Sequence, residues 1–98
     1  MAGMEPPKYE DNETTFPELI ERLRKTIVYL NSLKPEQIDG SEKKKVTLKV
    51  RDEMMTFEGL TFLLNRVLPN LFFHVSTAYA ILRHSGVEIG KKDYLGKF

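Results

Sequence analysis

Apolar residues in the first half of the chain recur at helical spacing. Phe16, Ile20, Leu23, Ile27 and Leu30 follow one another at intervals of 4, 3, 4 and 3, which makes one stripe, and Leu19 and Leu33 widen it. Thr15 followed by Glu18 reads as a capping box, and Pro17 suits a first helical turn. Glu18 and Arg22, and Glu21 and Lys25, are opposite charges four apart. The pattern predicts a helix over 16–32, with Pro35 and Gly40 punctuating its exit. The period then changes. Val46, Leu48 and Val50 alternate with Thr47, Lys49 and Arg51, while Met55 and Phe57 answer across a turn near Arg51–Asp52. This predicts a β-hairpin over 46–58. Two apolar helical runs follow, 58–67 and 70–85, and Pro69 predicts a kink or break near Leu68. Gly86 is a natural left-handed cap for the second run, and Val87 can close it with an apolar contact.

The run 70–85 is apolar nearly all round, which places it in the middle of something. It carries both histidines of the chain. Ten residues apart, His74 and His84 differ by about 80° around a helix axis and roughly 15 Å along it, so they cannot share one metal ion. His74 reads first as a core histidine bonded to a carboxylate or carbonyl, and only second as a metal ligand. His84 reads as a cation supporting a helix carboxyl end. Tyr79 reads as a packed aromatic with its hydroxyl at a rim. Asn70 is placed to satisfy free backbone groups where the second run starts. These four are the candidate polar residues of a core or pocket.

The remaining segments divide simply. Residues 1–14 form an extended polar lead-in with Pro6 and Pro7, and Glu10, Asp11 and Glu13 there are a poor platform for acid–base catalysis. Residues 15–98 form a single helical domain with a polar tail over 87–98, for which Tyr94, Leu95 and Phe98 are candidate anchors.

Composition narrows the function classes. The 98 residues are 41% hydrophobic and 30% charged, an ordinary globular mixture. The net charge of +1 supplies no field for nucleic acid or a membrane surface. Lys43, Lys44, Lys45, Lys49 and Arg51 cluster near the hairpin without an aromatic platform, so they read as a solvated face. There is no cysteine, hence no disulfide framework, thiol nucleophile or thiolate ligand. No apolar run spans a bilayer and the amino terminus lacks signal-peptide character, so the cytoplasm is expected. No phosphate loop, dinucleotide turn or serine elbow occurs.

Taken together, "EPPKYEDNETTFPELIERLRKTIVYLNSL", the "VTLKV…MTFEG" hairpin and "LPNLFFHVSTAYAILRHSGVEIGKKDYLG" resemble an uncharacterised domain-of-unknown-function family of the DinB-like four-helix bundles. The resemblance implies a mainly α fold, a helical bundle with a small β-hairpin insertion. Many relatives in that superfamily hold a divalent metal through an early histidine and a later His-x-x-x-His pair, and some are thiol-dependent transferases or hydrolases. His74 matches the second histidine of the pair. Asn70 stands at the first, and asparagine is a poor ligand for zinc-like metals. No cofactor is therefore expected, with a divalent metal at His74 as the alternative.

Family members carry two further helices before the "EPP" segment, so the chain resembles a back half. Its apolar stripes are also too extensive for one helical hairpin to bury. A homodimer through helices 16–32 and 70–85 is the expected solution, a half-bundle completed by a second copy. The leading functional reading is a non-catalytic, structural or interaction module that self-associates. A metal-dependent enzyme with ligands from outside the chain ranks second, and a nucleic-acid binder third. The residues name no small-molecule ligand.

Overall fold

The computed structural model describes residues 1–97; the candidate anchor Phe98 lies outside the described residues. The chain is mainly helical with one two-stranded antiparallel hairpin, and it divides into two compact units, Met1–Gly59 and Leu60–Phe98.

In the first unit, α1 spans Phe16–Ser32. Its start is a reciprocal cap. The Glu18 backbone N–H donates to Thr15 Oγ1 at 3.4 Å, and the Glu18 carboxylate accepts the backbone N–H groups of Thr14 and Thr15 at 2.8 and 2.9 Å. That occupies Glu18, so the pairing with Arg22 that the spacing suggests does not form. Arg22 turns instead to the lead-in. A short 3-10 turn, Pro35–Gln37, leads out of the helix.

The hairpin pairs β1 (Lys45–Val50) with β2 (Glu53–Glu58). Val46 faces Phe57 and Leu48 faces Met55 across the ladder. Val46, Leu48 and Val50 are half-buried and alternate with exposed neighbours, as a one-sided strand requires. The two-residue turn places Arg51 at φ 56°, in the left-handed region. On the outward face Thr47 and Thr56 share a hydroxyl–hydroxyl hydrogen bond of 2.8 Å.

The hairpin ends in a tight seam. The Gly59 N–H donates to Lys44 O at 2.8 Å, and the Lys44 N–H donates to Ser41 O at 3.1 Å. Gly59 and Ser41 are both buried, and a Cβ at residue 59 would overlap the Ser41 carbonyl oxygen.

The helical run from Gly59 to His84 does not break. α2 (Gly59–Phe62) passes into one π-helical turn (Leu63–Val67) and then into α3 (Leu68–His84). Of the kink or break expected near Leu68, the break does not occur, and a wider turn lies immediately upstream. Pro69 cannot donate to the carbonyl four residues back. The backbone is already re-registered there, because the Leu68 N–H bonds Leu63 O, five residues earlier. α3 ends in a glycine cap: Gly86 has φ 88°, its N–H donates to Arg83 O, and the Val87 N–H donates to Leu82 O. In the same unit α4 (Lys91–Leu95) starts at Gly90, whose N–H donates to Asp93 Oδ2 at 2.7 Å.

Among the described residues no apolar side chain is buried. On α1, Phe16, Leu23 and Leu30 are 82%, 63% and 56% exposed. On α3, Leu71, Phe72, Phe73 and Ile81 are exposed as well.

Candidate functional site

Three of the four candidate residues of α3 lie on one sector, together with Thr77. At 100° per residue, Asn70, His74, Thr77 and His84 fall within about 80° of arc. All four are exposed. His74, expected as a core histidine, is exposed. Its ring meets the edge of Phe73, centroids 5.4 Å apart and planes at 79°. Asn70 makes no cap bond, since α3 is entered from helical backbone at Val67. His84 stands with Arg83 in the last turn, where cations meet the unpaired carbonyls.

Tyr79 is half-buried and belongs to a different cluster. It lies edge-on to Tyr94 of α4 at 5.5 Å, and Arg83 Nη1 donates to its hydroxyl at 3.1 Å. Ser76 and Tyr94 share a hydroxyl–hydroxyl hydrogen bond of 3.0 Å. The four side chains fasten the tail to α3. They contain no activated nucleophile, because no general base adjoins a hydroxyl.

A metal centre of the kind the resemblance implies needs at least three donors. Among the described residues no three histidine or carboxylate side chains come together to hold an ion. His74 offers one imidazole, and Asn70 occupies the neighbouring ligand place with an amide. These residues do not fit a self-contained metal site.

The strongest electrostatic cluster lies in the lead-in. Arg22 Nη1 bonds Asp11 Oδ1 and Glu13 Oε2, both at 2.8 Å, and the guanidinium carbon stands 5.2 Å from the centre of the Tyr9 ring. Asp11, then Glu13, hold the guanidinium above its ordinary range. The Glu18 carboxyl is held below its usual value, first by the Thr14 backbone donor and then by Thr15. Tyr9, Asn12, Glu13 and Arg22 line an open depression of about 230 Å³ here. Every acid in it is already engaged in capping or clasping, or faces water. The clasp was not visible in the sequence, because its partners are nine and eleven residues from Arg22 and follow no helical period.

No helix of the described residues is long and apolar enough to cross a membrane.

Comparison with known proteins supplies the family context. A family model described as "Domain of unknown function (DUF1993)" matches residues 1–95. Among solved structures, a DinB family member protein from Shewanella denitrificans superposes with a TM-score of 0.83 at 39% identity, over 94% of this chain and 51% of that one. The chain thus spans about half the length of that relative. Comparison with curated proteins finds no match.

Proposed function

Because the chain belongs to the DUF1993 family, and because both of its long helices expose large apolar side chains, we propose that it is a non-catalytic DinB-like helical module whose work is association. The observation that carries this reading is the exposure of both long helices. A folded monomer hides its large aliphatic side chains, and a contiguous exposed apolar face beyond a few hundred Å² marks an interaction surface. Here the stripe of α1 and the aliphatic and aromatic residues of α3 stay accessible, while the only buried residues described are Ser41 and Gly59. The half-length match to the Shewanella structure supports the same view, because a protein of about twice this length has further residues with which to cover these faces.

Self-association is the simplest way to supply them, and a closed two-fold dimer is the commonest form. The test is the mass in solution against dilution. A dimer whose melting temperature rises with concentration supports the reading. A metal-dependent enzyme would need ligands from outside this chain. Stoichiometric zinc or nickel retained by the purified protein, and lost in His74→Ala without a change in melting temperature, would replace the association reading with that one.

A further inference from the structure

The α1 stripe has a more specific content than apolarity. Its intervals of 4, 3, 4 and 3 are those of a heptad seam. With Phe16 at a d position, Ile20 and Ile27 fall at a, and Leu23 and Leu30 at d. Within a parallel pair, isoleucine at a with leucine at d favours two strands over three or four, because the β-branched side chain packs best at a and the γ-branched one at d in that geometry. All five seam residues are exposed, between 48% and 82%. Resting on the reading of self-association above, we propose that the occupant of this face is α1 of a second copy, parallel and in register about a two-fold axis.

The flanks agree with that occupant. In a parallel pair each g position faces the e position of the partner's next heptad. Leu19 then lies beside the partner's Arg24, and Thr26 beside the partner's Asn31. The first contact is aliphatic against an aliphatic stem, the second polar against polar, and no like charges meet. Glu18, Glu21, Arg22 and Lys25 all fall at b, c or f, away from the seam. Arg22 is accordingly free to clasp the lead-in, and does so. The relative's length points the same way, since a second copy brings about as many residues as the unmatched half of that chain. The stripe runs just over two heptads, short for an autonomous coiled coil. Its area is on the order of half of one side of a standard interface, so other exposed apolar side chains of the chain take part in the contact.

The absence of cysteine makes the test clean. Leu23→Cys and Leu30→Cys are prepared separately in the full chain and treated with a short thiol-specific cross-linker at a concentration where the wild type has twice the monomer mass. Glu21→Cys, off the seam, is the control. Covalent dimer from both leucine positions and little from residue 21 is the expected result. A dimeric mass without cross-linking at 23 and 30, or with equal cross-linking at 21, overturns the parallel α1 seam and leaves self-association standing. A folded monomer overturns both. A second pair of variants leaves the seam intact. Leu19→Glu places a carboxylate beside the partner's Arg24 and tightens the dimer, whereas Leu19→Lys loosens it, with dissociation constants separated by several-fold. Equal dissociation constants contradict the proposed register.

Discussion

Gly59 and Ser41 approach so closely that the glycine has no room for a side chain: a Cβ at residue 59 would overlap the Ser41 carbonyl oxygen and stand 3.0 Å from its carbonyl carbon. Both residues are buried, and the Gly59 N–H is tied to Lys44 O. The obstruction is backbone, which cannot swing aside like a long side chain. Gly59→Ala should therefore destabilise the hairpin end by about 1–3 kcal/mol, the usual cost of overpacking. Thermal unfolding checks this, and an unchanged melting temperature would mean that the 41–44 loop yields freely.

The hairpin should tell its two faces apart. Leu48 is half-buried opposite Met55, while Thr47 is exposed and holds only the hydroxyl contact to Thr56. Leu48→Lys should cost more than Thr47→Lys, which gives up one exposed hydrogen bond worth about 0.5–1.5 kcal/mol at most. Equal losses in denaturant midpoint would contradict the one-sided strand.

Arg51 adopts a left-handed conformation at φ 56° with no glycine to ease it. Asparagine tolerates that region far better than arginine. Arg51→Asn should raise stability by about 0.5–1 kcal/mol, and a lower melting temperature would show that the arginine side chain contributes more than its backbone costs.

Acid should loosen the start of α1. The Glu18 carboxyl is held below its ordinary value by the Thr14 and Thr15 donors. A carboxylate with a lowered folded value contributes stability that is present above its unfolded value, about 4.3, and lost as pH falls through the folded one. Amide exchange at residues 15–19 should therefore accelerate as pH drops through and below that range, after correction for intrinsic rates. Glu18→Gln should remove the pH-dependent part of the change. The same pH dependence in both proteins would assign the effect to another group.

Much of the architecture can be read along the chain because it rests on local patterns. The Thr15–Glu18 pair, the 4-3-4-3 stripe, the alternation over 46–50 and the Gly86 cap all have causes within a few residues. What the sequence hid depends on contacts distant in the chain or on backbone detail. The Pro69 rule gives a kink or break, and the chain answers with a π turn over Leu63–Val67. Arg22 has two competing acidic neighbourhoods, and spacing favours Glu18 although the cap has already taken it. The candidate site was legible as a list but not as a place. Asn70, His74 and His84 share a sector of α3, whereas Tyr79 turns to Tyr94. His74 reads as a core residue because the helix around it is apolar, yet it is exposed, as are the apolar residues beside it on α3.

The claim on which the functional account stands is that these exposed helix faces are covered by a second copy. Sedimentation at micromolar concentration, followed by dilution, tests it most directly. The account predicts a species of twice the chain's 11.4 kDa whose melting temperature falls on dilution, and in which Leu23→Asp or Ile81→Asp unfolds the chain rather than releasing a folded monomer. A compact, cooperatively unfolding species of 11.4 kDa, with a melting temperature independent of concentration, would contradict it.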